Sequence, residues 1–228
     1  MQRVRTLAAG SRAVVALVLG AALVLTGCRD DPGTAAYVGT ERITEADVDG
    51  LIGEATAKVA GKEGLTAPSR PDVVITSVLG RLCADRQARD GFAGRQFSEQ
   101  EKQQIAPVPD TKYYQLRLTT YSCLFGIPNP AQAQPSDADL QDIYDRALAK
   151  GLVNVPLSEI KDQLAANEDL RQAVAVKRML TELVADAEVS VNPRYRPMEF
   201  HVSDLGSGVP LVVAVVGEPG SDAVRDIA

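Results

Sequence analysis

Tryptophan is absent from this chain of 228 residues, aromatic residues amount to 4%, and histidine occurs once. Each scarcity removes a class of chemistry. A metal centre built from thiolates and imidazoles needs several ligands at recognisable spacing, whereas here Cys83, Cys123 and a distant His201 stand apart. His201 sits beside Glu199 with no serine or cysteine nucleophile near it, and the chain contains no G-x-S-x-G segment. It reads as a surface residue of the C-terminal tail. Gly206-Ser207-Gly208 lacks the lysine and the following helix of a phosphate cradle. The sequence thus predicts no catalytic residue, no metal and no cofactor. Basic charge is also short, with 24 basic against 30 acidic residues. That balance argues against nucleic acid, which wants a basic face. Acidic pairs such as Asp47 with Asp49 and Asp137 with Asp139 fall at helix starts, where the helix dipole accounts for them without calcium or catalysis.

What is present begins with a targeting segment. Arg3, Arg5 and Arg12 form a basic n-region, and Ala13 to Val24 is apolar. The run is short for a membrane span, which takes about 20 residues. Leu25-Thr26-Gly27-Cys28 follows at once and reads as a lipobox: a small residue at the cleavage site, then a thiol to take the diacylglyceryl group. A plain secretory peptide would have no need of a cysteine there. Residues 1–27 are read as a lipoprotein signal peptide and Cys28 as the lipidated residue. Loss of Arg3, Arg5 and Arg12 would leave acidic residues in excess by nine. A surface of that sign does not hold an anionic bilayer, so membrane attachment rests on the lipid, whose two acyl chains (palmitate-like) suffice for stable anchoring. The placement expected is the extracytoplasmic face of the cell membrane. Arginine outnumbers lysine and alanine and valine are abundant, the bias of a high-GC bacterial genome.

Residues 28–35 are read as a tether. The remaining roughly 190 residues suffice for one domain with a real core. Ala36-Tyr37-Val38 is a short apolar extended run, Gly39-Thr40 is turn chemistry, and Arg42-Ile43 resumes the extended chain. Thr44 with Asp47 forms a capping box, and Val48, Leu51 and Ile52 follow at helical spacing. The spacing predicts further helices from Pro71 or Asp72 to Arg89, from Ser98 to Ile105, over 111–125, from Ser136 to Gly151, over 158–166 and over 169–187. The stretch 111–125 also alternates like a strand at Tyr114, Leu116 and Leu118. Tyr114, Leu118, Tyr121 and Phe125 also stand three or four residues apart along this stretch, at helical spacing. Its helical neighbourhood decides for helix. Two short strands lie at opposite ends, and neither is stable alone. Val189–Val191 is therefore expected to pair with Tyr37–Gly39. The fold class read from this is mainly α, with a small two- or three-stranded sheet joining the N-terminal and C-terminal strands. Residues 198–228 are read as a tail, with a possible extra strand at Pro210 to Gly217.

Cys83 and Cys123 are an even pair in an oxidising compartment and are expected to form a disulfide. Two buried free thiols are the alternative.

Three features resemble one known family. The opening strand and turn followed by ITEADVDGLI (Ile43–Ile52), the run of amphipathic helices, and a long helix leading into VSVNPRY (Val189–Tyr195) together resemble the N-terminal domain of SurA-type (SurA/PrsA-like) extracytoplasmic chaperones, over residues 36–197. The ending resembles actinobacterial lipoproteins that carry this domain. Isomerases of this family insert a parvulin domain, with histidines in its pocket, between the helices. Here the interval from Gly151 to Asn167 has no room for one. The resemblance implies a holdase without isomerase activity, which cradles unfolded or partly folded exported polypeptides between its helices and is not an enzyme. No peptide-binding residue is nameable at this level. The alternative is an interaction lipoprotein that binds one specific envelope partner.

Overall fold

A computed structural model describes residues 32–91, 93–127 and 133–217. Residues 1–27, read above as a signal peptide, and Cys28 lie outside the described residues.

Strands β1 (Thr34–Val38) and β2 (Glu41–Thr44) form an antiparallel hairpin, with Val38 opposite Glu41 and Tyr37 opposite Arg42. The turn between them needs Gly39, whose φ is +56°. The hairpin feeds α1 (Glu45–Val59), with Thr44 and Asp47 closing the capping box. Helices α2 (Arg70–Asp90), α3 (Glu99–Ile105), α4 (Lys112–Leu124), α5 (Asp137–Ala149), α6 (Leu157–Ala166) and α7 (Glu168–Asp186) follow. Capping boxes also start α2 at Ser69, α3 at Ser98 and α5 at Ser136; Thr111 and Asn167 cap α4 and α7 through their side chains. Each cap satisfies backbone N–H groups that the first helical turn leaves without partners.

The chain then returns to its beginning. Strand β3 (Ser190–Val191) pairs antiparallel with β1 on the side away from β2, so the sheet order is β2-β1-β3. The pairs are Ala36 with Val191 and Tyr37 with Ser190; at the edge, the Gly39 N–H donates to the Ala187 carbonyl at 2.7 Å. The fold is mainly α, and a small sheet joins its two ends. After β3 a single 3-10 turn, Pro193–Tyr195, brings the Tyr195 hydroxyl to the Glu45 carboxylate at 2.8 Å. Glu45 also accepts from Arg70 at 2.8 Å. One carboxylate at the first position of α1 thereby ties together the starts of two helices and the segment that closes the sheet.

Helix α2 is central. Val73, Val74, Ile75, Val78, Leu79 and Leu82 are all buried, between α1, β1 and α4. It has 21 residues and exceeds α7, which has 19. Gly80 of α2 faces α4 so closely that a Cβ there would lie 2.5 Å from Leu116 Cδ1. Three residues on, Cys83 reaches Cys123 of α4: the sulfurs are 2.15 Å apart and the Cα atoms 5.9 Å.

Three expectations need correction. Helix α2 starts at Arg70 rather than at Pro71 or Asp72, with Ser69 as its cap and Asp72 completing the box. Thr34 and Ala35 belong to β1 and are buried, so the tether ends before Thr34 rather than at residue 35. Residues 198–217 are not a tail outside the domain. Strands β4 (Glu199–Ser203) and β5 (Val212–Val215) form an antiparallel hairpin laid against α7. Phe200, Val202, Leu211, Val212, Ala214 and Val216 are buried there. The extra strand at 210–217 exists, and its partner is β4, which the sequence reading had not marked. The segment 218–228 lies outside the described residues.

Candidate binding cleft

Docking the β4–β5 hairpin onto the helices leaves a cleft of about 460 Å³. One wall is α4. Tyr113, Arg117 and Tyr121 recur every four residues and so line one stripe of that helix. The opposite wall is β4, with Glu199, Phe200 and His201. The N-terminal half of α2 and the segment from Gly64 to Pro68 close the end.

The aromatic groups are linked. Tyr113 and Tyr114 meet edge-on with centroids 5.0 Å apart, Tyr121 and Phe200 do so at 5.9 Å, and Phe125 lies 5.7 Å from Tyr121. Such pairs add about 0.5–1.5 kcal/mol beyond the burial of their surface. The wall is therefore stiff. Burial pushes the Tyr113 phenol up, against the pull of nearby Arg117, so this hydroxyl stays protonated in the neutral range and offers a neutral donor or acceptor.

The charged groups in the cleft differ in their commitments. Asp72 accepts from the Ser69 hydroxyl at 2.6 Å in the α2 capping box. Glu199 lies 3.7 Å from Arg146 of α5. Arg117 is half-buried, with its guanidinium 5.3 Å from the centre of the Tyr121 ring, and no carboxylate among the described residues lies within ion-pair distance of it. His201 is exposed on β4, at the mouth of the cleft. It is a strand residue whose neighbours Phe200 and Val202 face inward, not a residue of a loose tail.

A second groove, of about 570 Å³, runs between α1, α2 and α4. It contains no aromatic ring, and most of its charges are answered locally. Asp47 closes its capping box, Arg81 pairs with Glu41, and Glu54 accepts from the Lys112 N–H at 3.3 Å. It has little left to offer a ligand.

Comparison with known proteins finds no matching family model, no matching curated protein and no matching solved structure.

The helical spacing read over 111–125 is that of Tyr114, Leu118, Tyr121 and Phe125. The spacing of Tyr113, Arg117 and Tyr121 was equally readable and went unremarked. Phe200 was missed because its segment was taken for a tail. Among the described residues no three His, Cys, Asp or Glu side chains gather as metal ligands, and no helix is long and apolar enough to cross a membrane.

Proposed function

We propose that this protein is a lipid-anchored, extracytoplasmic binding protein that holds peptide segments of exported polypeptides without altering them. The observation that carries the reading is the cleft: four of the ten tyrosines and phenylalanines of the chain line one concavity, beside the half-buried guanidinium of Arg117. Its size lies within the range of about 300–1,000 Å³ usual for ligand sites. Rigid aromatic walls suit a peptide, because they offer apolar contact and hydrogen bonding with little entropy to lose. The carboxylates of the cleft support binding rather than conversion, since Asp72 and Glu199 are tied into structural pairs. The lipobox ending at Cys28 and the resemblance to SurA-type domains support placement outside the membrane and a chaperone role.

One observation favours the narrower reading, a single envelope partner. The large hydrophobic residues that stand exposed among the described residues are Leu148 at 48%, Leu152 at 47% and Val215 at 46%. A general holdase uses a broad, adaptable apolar surface.

Three experiments test the proposal. A photocrosslinking side chain at Thr66, which lines the cleft, should capture a polypeptide in cells, and the same group at Glu182 on α7 should not; equal capture at both positions removes the cleft from the reading. Light scattering of refolding model clients, with the protein from Arg29 onward, separates the two forms. Suppression of several unrelated clients near stoichiometric amounts supports the holdase, and failure with all of them leaves the single partner. Replacement Cys28→Ser should release the protein from the membrane fraction and abolish incorporation of labelled palmitate.

A further inference from the structure

Arg117 differs from other half-buried arginines in that its side chain meets a tyrosine rather than a carboxylate or a backbone carbonyl. Arg146 pairs with Asp142 at 3.1 Å, Arg86 approaches Asp90 at 3.8 Å, Arg171 donates to the Ala165 carbonyl at 2.9 Å, and Arg196 donates to the Val191 carbonyl at 3.1 Å. Arg117 has the Tyr121 ring and, among the described residues, no carboxylate. Withdrawing a guanidinium from water without an anion is costly, and folds rarely do it without a reason. The two acids that share the cleft answer other groups, Asp72 the Ser69 cap and Glu199 the side chain of Arg146.

We infer that the cleft recognises a peptide carboxylate, which Arg117 holds through its planar fork while Tyr121 and Phe200 take the neighbouring large apolar side chain. The inference rests on the peptide-binding reading and sharpens it. The Tyr121 side chain holds the guanidinium, 5.3 Å from the ring centre, and the planar fork of an arginine matches an acceptor with two coplanar oxygens. Phe200, in edge contact with Tyr121, lines the cleft beside Arg117. The sign of the whole molecule narrows the ligand further. Acidic residues exceed basic ones across the chain, and the resulting field repels polyanions such as nucleic acid or strongly anionic lipid surfaces. It tolerates a single carboxylate set in a neutral or basic stretch. Two sources supply that chemistry: a free C-terminus that follows an apolar residue, and an internal Asp or Glu next to one.

The test uses fluorescence anisotropy and three labelled peptides of otherwise identical, mildly basic sequence. One ends in an aromatic residue with a free carboxylate, one is its C-terminal amide, and one is the amide with a glutamate placed before the aromatic residue. Expected is tight binding of one or both acidic peptides and affinity lower by roughly 10–100-fold for the plain amide, the loss usual for a charge-assisted hydrogen-bonded pair. Preference between the two acidic peptides assigns the source. R117Q should bind all three about as weakly as the wild type binds the amide, and R117K should recover only part of the difference. R117Q lies on a side chain outside the apolar core, and an unchanged thermal transition confirms that it folds. Equal affinity of the wild type for acid and amide overturns the carboxylate assignment and leaves peptide binding standing. Displacement of the acidic peptide by low inorganic phosphate but not by acetate overturns it in favour of a phosphate ligand. Failure of every peptide to bind the folded wild type overturns both the assignment and the reading beneath it.

Discussion

The ring of Tyr121 in α4 meets the ring of Phe200 in β4 edge-on, with centroids 5.9 Å apart and planes 77° apart. This contact links α4 to the C-terminal hairpin within the cleft, while α7 carries the hairpin itself. Phe200 is also buried. Its replacement by alanine is expected to cost about 3–5 kcal/mol, measured by urea unfolding. A chain that stops at Pro197 should fare worse, because it uncovers the α7 face that β4 and β5 protect. Such a truncation is expected to lose its cooperative thermal transition, and one that melted like the full chain would show the hairpin to be an accessory.

Three glycines in helices should respond in opposite directions. Gly50 and Gly53 of α1 have nothing within 4 Å of the position a Cβ would occupy. Alanine at either is expected to stabilise the protein by about 0.5–1 kcal/mol, since glycine loses more backbone freedom on folding. Gly80 is the reverse case. A Cβ there would press on Leu116 Cδ1 at 2.5 Å and approach Thr120 Oγ1 at 3.3 Å. Gly80→Ala should therefore destabilise, by about 1–3 kcal/mol if α2 and α4 must separate. Midpoints of denaturant unfolding for the three single variants decide the matter.

What could be read ahead of the structure was local. The capping boxes at Thr44, Ser98 and Ser136 are three-residue relations, and the chain itself supplies both partners. The pairing of β1 with β3 was reached by economy, since neither strand is stable alone, although the pairs formed are Ala36 with Val191 and Tyr37 with Ser190. What escaped was whatever depends on a distant partner. Alternation at Phe200, His201 and Val202 is too brief to mark a strand until α7 and β5 are in place. Ile75, Val78, Leu79 and Leu82 share one face of α2, but its first half is buried well beyond that stripe, and only the packing of α1, β1 and α4 around it shows its central position. On α4 the tyrosines face both the core and the cleft, and only the tertiary arrangement shows that Tyr113, Arg117 and Tyr121 share a wall.

Cys83 and Cys123 close a loop with a sequence separation of 40. If the bond forms in the cell, the intact mass of protein taken from the envelope should fall short of the reduced value by two hydrogens. The chain-entropy view assigns a loop of this size about 4 kcal/mol, although how much of that is entropic is disputed. The double variant Cys83→Ala, Cys123→Ala is expected to unfold at distinctly lower urea, and reductant should shift the wild type to meet it. An unshifted wild type under full reduction, verified by mass, would mean that packing of α2 on α4 holds the pair without the bond.

Acid should weaken the fold through its helix starts. At Asp139, burial alone would raise the carboxyl pKa, but hydrogen bonds from the Ser136 hydroxyl and N–H, with Arg178, outweigh it and hold the group below the ordinary carboxylate value. Asp47 is lowered chiefly by the Thr44 hydroxyl and then by the Thr44 N–H, and Glu101 chiefly by the Ser98 N–H and then by its hydroxyl. The sign follows from linkage. A carboxyl whose pKa is lower folded than unfolded releases its proton more readily in the native state, so its stabilisation is complete above the unfolded value. It disappears as pH falls through the lowered folded value. The loss should therefore begin near the ordinary aspartate pKa of about 3.9 and continue below it. Asp139→Asn retains an acceptor for the cap but no charge for Arg178, 2.9 Å away. The variant is expected to be less stable than the wild type by about 1 kcal/mol at neutral pH, and the two urea midpoints should converge as pH drops below 4. Ser136→Ala removes the hydroxyl that both caps the helix and lowers the carboxyl, so it should cost a similar amount and flatten the same limb of the curve. A gap between wild type and Asp139→Asn that stayed constant down to pH 2 would place the contribution of Asp139 in its shape and packing rather than in its charge.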